Sequence, residues 1–268
     1  MKYTISHIAR ITDAEAFVKN DDTIEQLLLD SRKISSPATS LFFALKGPRR
    51  DGHQFIPELY KKGIRNFIIS ETINSSLYPE ANFLRVDDSL LALQQLAAYH
   101  RGRFNIPVIG ITGSNGKTIV KEWLYQLLHG DYNIVRSPKS YNSQTGVPLS
   151  VWQMNEQHEL GIFEAGISEQ GEMLRLEKII RPTTGILTNI GEAHSEGFID
   201  PAHKFREKLV LFRNCKTVIG RESDFEGQEE FIELLGEELQ VLTWGTSGKN
   251  DFILSNVEKK GNSTTITL

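Results

Sequence analysis

The sequence predicts an α/β fold in two parts: a small N-terminal α/β domain over residues 1–102, then a mostly parallel-sheet domain over residues 103–268. Three observations predict it. The stretch Ile106 to Leu128 reads as a buried strand, a glycine turn and an amphipathic helix whose apolar residues are Val120, Trp123, Leu124, Leu127 and Leu128. From Asn105 onward, short apolar runs alternate with segments of helical period, as in a parallel sheet covered on both faces. The first hundred residues carry shorter apolar runs and two helical segments around turn sequences.

In the first part, Ser40–Leu45 reads as a buried strand, followed by the turn Gly47-Pro48-Arg49-Arg50-Asp51-Gly52. His53–Lys62 follows as a helix with Phe55, Ile56, Leu59 and Tyr60 on one face, and Gly63 stops it. Asn66–Ile69 and Phe83–Val86 are further strands. Asp87 or Asp88 caps a helix whose apolar face is Leu90, Leu93 and Ala97. Arg101-Gly102-Arg103 marks the boundary.

In the second part, strands are expected at 107–112, 160–165, 185–190, 217–220 and 240–243, and helices at 117–129, 171–180, 203–213 and 227–237. The tail, with Phe252–Leu254 and Thr264–Leu268 flanking the polar run Glu258–Asn262, reads as a β-hairpin. The chain stops mid-strand, as a truncated domain would.

Composition narrows the function classes. The 268 residues are 39% hydrophobic and 24% charged, with a net charge of −4, which fits a soluble globular protein and argues against general nucleic-acid binding. Cys215 is the only cysteine, so no internal disulfide forms, and it reads as a small packed apolar residue. No apolar run reaches membrane-spanning length and no signal-peptide core is present, so a cytoplasmic protein without membrane insertion is expected.

The chemistry gathers at the glycine turn. Gly113-Ser114-Asn115-Gly116 lets the backbone approach an anion, and the helix it opens offers N–H groups to a phosphate. Lys117 reaches terminal phosphates and the Thr118 hydroxyl is a Mg²⁺ ligand in such loops. The strict GxxxxGK[ST] spacing fails by one place, because Ile111 stands where the first glycine belongs. A ligand-free glycine turn stays open on that ground. The carboxyl ends of neighbouring strands bring Glu164 and the loop Thr188-Asn189-Ile190-Gly191-Glu192-Ala193-His194 to the same edge. Taken singly, Glu164 is equally an ordinary strand-end carboxylate and His194 a solvated loop residue. Lys208 by itself reads as a surface lysine, and Tyr141–Leu149, by its turn chemistry, reads either as a loop lining the site or as a simple connecting loop.

Together the motifs resemble the Mur ligases of peptidoglycan synthesis. Gly113–Thr118 is similar to that family's GTNGKT loop, with Ser114 in place of threonine, and the family's shortened pattern accounts for the spacing mismatch. Asn189–Phe198 resembles its TNIGxAHxExF segment, and Phe163-Glu164-Ala165-Gly166 its metal-carboxylate strand. Asp30-Ser31-Arg32, Leu41–Gly47 and Asp51-Gly52-His53 resemble the N-terminal uridine-nucleotide domain of one branch. That branch joins D-Ala-D-Ala to UDP-N-acetylmuramoyl-tripeptide.

The resemblance implies ATP and two Mg²⁺ ions as cofactors. ATP would lie on Gly113, Ser114, Asn115, Gly116, Lys117, Thr118 and Asn189. Thr118 and Glu164 would hold one Mg²⁺; Glu164, His194 and Lys208, the last carrying CO₂ as a carbamate, would hold the other. Lys117, His194 and Lys208 would be the catalytic set. Precursor contacts would fall on Ser31, Arg32, Lys46, Asp51, His53, Asn142 and Ser143, with Arg32 and then Lys46 meeting diphosphate oxygens. The family's third, C-terminal Rossmann-like domain is absent from the sequence, so the 268 residues alone are expected to bind nucleotide but not to ligate. Tyr141-Asn142-Ser143-Gln144 departs from the family's common asparagine-rich loop and resembles chains fused to an alanine racemase. Two other classes compete: a ligase on the same scaffold adding a single amino acid, or a non-catalytic nucleotide-binding module. A folylpolyglutamate synthase fits less well, because it lacks the Asp51-Gly52-His53 domain.

Overall fold

A computed structural model of the chain describes residues 2–48, 50–189, 200–227, 232, 238–261 and 263–267. They form two compact units, Met1–Arg103 and Phe104–Leu268.

The first unit runs β1 (Tyr3–Thr4), α1 (Ile5–Ile11), β2 (Glu15–Phe17), β3 (Thr23–Ile24), β4 (Gln26–Leu28), β5 (Ser40–Phe43), α2 (Ile56–Lys61), β6 (Asn66–Ile69), β7 (Asn82–Arg85) and α3 (Ser89–Arg101). Strands β4, β5, β6 and β7 are parallel, and β2 pairs antiparallel with β7, giving the order β2-β7-β6-β5-β4. Phe42, Phe67 and Phe83 from adjacent strands pack with Leu28, Ile56 and Leu59 into one core. The helix expected from His53 is two pieces: a 3₁₀ turn over Gly52–Phe55, capped by Asp51, and then α2. Asp88 is the cap of α3, accepting from the Leu90 and Leu91 N–H groups.

The second unit runs β8 (Val108–Thr112), α4 (Lys117–Leu128), β9 (Ile134–Arg136), α5 (Gly146–Val151), β10 (Leu160–Glu164), α6 (Glu172–Ile180), β11 (Thr184–Leu187), α7 (Pro201–Leu209), β12 (Thr217–Arg221), α8 (Glu222–Phe225), β13 (Gln240–Gly245) and β14 (Phe252–Ile253). These strands form one parallel seven-stranded sheet, ordered β14-β13-β12-β11-β8-β10-β9. The chain leaves β8 toward β9 and β10 on one side, and later returns to β11 on the other. The carboxyl end of β8 is therefore a switch point, where open parallel sheets take ligands.

Four expectations are corrected. The segment Tyr141–Leu149 is not all loop: Gly146–Val151 is helical, with Pro148 in the first turn, where a missing N–H costs nothing. In α4, Val120, Leu124 and Leu128 pack on the sheet, whereas Trp123 and Leu127 are 62% and 75% exposed. The predicted apolar face mixed two neighbouring stripes. The tail ribbon is β15 (Asn256–Lys260) against β16 (Ser263–Thr267), so Glu258–Lys260 lie in a strand, not the turn. Phe252–Ile253 instead extends the large sheet alongside Trp244–Gly245. The helix expected over 203–213 begins at Pro201, capped by Asp200, and ends as a 3₁₀ turn over Val210–Phe212. The helix expected over 227–237 lies almost wholly outside the described residues. Cys215 is buried as expected, and burial pushes its thiol up to about 12.

Candidate functional site

The glycine turn leaves β8 at the switch point. Gly113 has φ +143, and a Cβ there would stand 2.1 Å from the Thr188 hydroxyl and 2.9 Å from the Asn189 carbonyl oxygen. No side chain fits. Gly116, at φ +84, is the N-cap of α4, and no side chain caps that helix. Its first N–H groups and the positive end of its dipole are left to the loop.

The segment after β11 clamps the turn. The Ser114 N–H donates to the Asn189 carbonyl over 2.8 Å, and the Asn115 N–H to the Asn189 side-chain oxygen over 2.9 Å. The Thr188 hydroxyl donates to the Asn115 carbonyl over 2.6 Å. Asn189 thus serves as a rigid brace for the turn.

Three lysines converge on it. Lys117 Nζ donates to the carbonyls of Gly113 (2.7 Å) and Ser114 (3.3 Å). Lys208 Nζ donates to the Gly113 carbonyl over 3.1 Å and is 4% exposed, so it is not the surface lysine that its sequence context alone suggests. Lys204, one turn earlier on α7, is also buried. Burial holds all three ammonium groups below their ordinary range; Lys204 adds repulsion at Lys117, while Glu164 partly offsets it. Lys208 falls furthest, to about 8, through burial first and then Lys117 and Lys204. Such a cluster is built to meet negative charge.

Glu164 ends β10 and is fully buried. Its Oε2 accepts from the Thr118 hydroxyl over 3.0 Å. Its Oε1 lies 2.9 Å from Lys121 Nζ but outside hydrogen-bond geometry, and makes no hydrogen bond. A buried carboxylate oxygen with free lone pairs beside a threonine hydroxyl is a donor set that suits Mg²⁺. Among the described residues, Thr118, Glu164 and Lys208 lie around the turn; His194, the remaining candidate metal ligand, lies outside them.

Sequence reasoning missed Lys121. It is fully buried on α4, with Nζ donating to the Ser137 carbonyl over 2.8 Å and to the Lys139 carbonyl, and 3.2 Å from Glu122. Lys139 takes a left-handed φ of +49. The signal was one helical turn: Lys121 follows Lys117 by four places and so shares its face.

The other candidates have hydrogen-bond networks of their own. The Asn142 carbonyl accepts from the Gly166 N–H over 2.8 Å, which ties it beside the end of β10. The Ser143 hydroxyl accepts from the Gly146 N–H, opening α5. In the first unit, Arg32 folds bidentately onto Asp30 and remains exposed, Ser31 is half-buried beside it, and Lys46 pairs with Glu71. Asp51 accepts from His53 Nδ1 over 2.6 Å, and His53 Nε2 accepts the Ser70 N–H over 3.0 Å. Asp51, His53 and Glu71 are close enough to share an ion, but both histidine nitrogens are already engaged.

Comparison with known proteins gives one consistent relation. The family model for the Mur ligase middle domain matches residues 111–268, and that for the Mur ligase family catalytic domain matches 23–101. The chain is 30% identical over its whole length to the UDP-N-acetylmuramoyl-tripeptide–D-alanyl-D-alanine ligase of Bacillus subtilis, and spans 58% of that protein. It superposes on MurF from Acinetobacter baumannii with a TM-score of 0.88 and 28% identity, covering 99% of this chain and 58% of that one. It also superposes on MurF ligase from Thermotoga maritima in complex with ADP, with a TM-score of 0.76 and 29% identity, covering 90% and 55%.

Proposed function

The chain belongs to the Mur ligase family, and on that premise we propose that it carries the nucleotide- and precursor-binding parts of an ATP-dependent amide ligase of peptidoglycan synthesis. The proposed substrates are UDP-N-acetylmuramoyl-tripeptide and D-Ala-D-Ala, the pair in the name of the Bacillus subtilis relative. The carboxylate of the tripeptide attacks the γ-phosphorus of ATP, releasing ADP and leaving an acyl phosphate. The amine of D-Ala-D-Ala then attacks the acyl carbon, and phosphate departs.

The observation that carries this reading is the convergence of Lys117, Lys208, Thr118 and Glu164 on one glycine turn at the switch point. Phosphoryl transfer asks the protein for position and charge compensation more than covalent chemistry. Lys117 would swing from its own loop carbonyls to the terminal phosphates, and the uncapped first turn of α4 would bind the phosphate oxygens. Mg²⁺, when bound, would supply positive charge to neutralise the phosphates. Thr118 and Glu164 would hold one ion, and Glu164, His194 and a carbamylated Lys208 a second. The carbamate is favoured by the Lys208 environment: an amine held near 8 is partly neutral at cellular pH, and conversion to an anion relieves its repulsion with Lys117 and Lys204. Ser31, Arg32, Lys46, Asp51, His53, Asn142 and Ser143 are the proposed precursor contacts.

Both substrates are intracellular metabolites, so the protein is proposed to be cytoplasmic; among the described residues no helix is long and apolar enough to cross a membrane. A fused alanine racemase belongs to the same proposal, on the Tyr141–Gln144 variant, and racemisation of alanine by the full-length protein tests it.

Fluorescent-ADP titration of the chain tests the nucleotide site; Lys117→Ala should weaken binding by about tenfold or more. Phosphate release by the full-length protein should require both the UDP-tripeptide and D-Ala-D-Ala. Release with a single amino acid in place of D-Ala-D-Ala, or with folate in place of the UDP-tripeptide, would overturn the substrate assignment. A ¹³C-bicarbonate NMR carbamate signal, lost in Lys208→Met, tests the modification.

A further inference from the structure

Lys121 has no part in the reaction scheme, yet it is a fully buried charge in the second unit. Its ammonium is fully buried and fixed from three directions: the Ser137 carbonyl at 2.8 Å, the Lys139 carbonyl, and Glu164 Oε1 at 2.9 Å. Glu164 is fixed in turn, with its N–H on the Ser137 hydroxyl and its Oε2 on Thr118. The ammonium therefore balances the charge of Glu164 while leaving Oε1 without a hydrogen bond.

The surroundings are mostly cationic before any carbamate forms. Among the described residues, Lys117, Lys121, Lys204 and unmodified Lys208 gather around the turn and Glu164, against that fully buried carboxylate and the part-exposed Glu122, which Arg136 also pairs. A divalent cation entering alone meets net repulsion, whereas phosphate oxygens reverse the sign of the site. We propose that Lys121 is a positioning residue that keeps Glu164 oriented for Mg²⁺ while preventing Mg²⁺ from binding before nucleotide, so that nucleotide and metal bind in that order. The proposal rests on the nucleotide reading above and adds the order of binding.

Mn²⁺ is the probe, followed by electron paramagnetic resonance in the absence of nucleotide. Wild type should bind Mn²⁺ only at millimolar levels. Lys121→Gln removes the charge while leaving an amide donor on the same side chain; it should bind Mn²⁺ at least tenfold more tightly, and Lys121→Gln/Glu164→Gln should lose that gain. Fluorescent ADP should bind wild type in EDTA within threefold of its affinity with Mg²⁺. Equal Mn²⁺ affinity in wild type and a folded Lys121→Gln, checked by circular dichroism, would overturn the proposal. So would micromolar Mn²⁺ binding to nucleotide-free wild type, a result that decides the matter even if the variant does not fold. Absence of ADP binding under every condition would instead sink the nucleotide reading, and is seen in a separate measurement.

Discussion

Lys208 and Gly113, 95 residues apart in sequence, are joined by a hydrogen bond of 3.1 Å from the Lys208 ammonium to the Gly113 carbonyl. The bond pins α7 to the glycine turn and holds a lysine where water barely reaches it. That lysine sheds its proton at about 8 rather than 10.5, chiefly because burial penalises the charged form.

The pH dependence follows with a definite sign. Below about 8 the folded chain carries a buried charge that the unfolded chain solvates freely, so protonated Lys208 opposes folding. Between about 8 and 10.5 the unfolded chain binds the extra proton, and stability rises with pH. Lys208→Met should therefore be more stable than wild type at pH 7, by about 3 kcal/mol at most. The advantage should shrink as pH climbs toward 10.5. Urea melts of both proteins across pH 7–10.5 check it.

Gly113→Ala should fail in two ways. The residue would need φ +143 and a Cβ 2.1 Å from the Thr188 hydroxyl. A loss of about 2 kcal/mol or more is expected, lowering the midpoint by about 2–4 °C per kcal/mol for a chain of this size. Calorimetry measures that loss, and fluorescent-ADP titration should show binding lost even at temperatures where the variant stays folded.

Removing the charge at Lys117 should cost affinity without much cost in stability. Its bonds are to its own loop, and its ammonium sits among other cations. Lys117→Ala should weaken ADP binding by about tenfold or more, the worth of a charge-assisted hydrogen bond, while its thermal midpoint stays within about 2 °C of wild type.

In the first unit, His53→Phe tests a structural role. The ring accepts the Ser70 N–H at Nε2 and donates Nδ1–H to Asp51. Phenylalanine fills the space but strands both partners, so a loss of about 1–3 kcal/mol is expected. His53→Gln, which can supply an acceptor, should recover part of it in the same denaturant titration.

The sequence made the sheet legible because its central strands are continuous apolar runs buried on both faces, as at Val108–Thr112 and Leu160–Glu164. It made the glycine turn legible because the backbone at 113 admits no side chain and the left-handed backbone at 116 favours glycine. Where it misled, the signal was degenerate. Val120 and Trp123 are both spaced correctly for a core stripe in α4, and spacing alone does not say which stripe meets the sheet. The strands Asn256–Lys260 and Ser263–Thr267 are exposed throughout, so no burial pattern marked their register. Lys121 escaped notice because lysine ordinarily belongs to solvent; only the fold reveals two carbonyls and a carboxylate turned inward to receive it. Strands β1 to β4 have two or three residues each and depend on distant partners, which no local pattern records.

Both margins of the seven-stranded sheet are stubs: Ile134–Arg136 has three residues and Phe252–Ile253 two. Runs this short offer little backbone to template a foreign strand, so the sheet is blunted against edge-to-edge self-association.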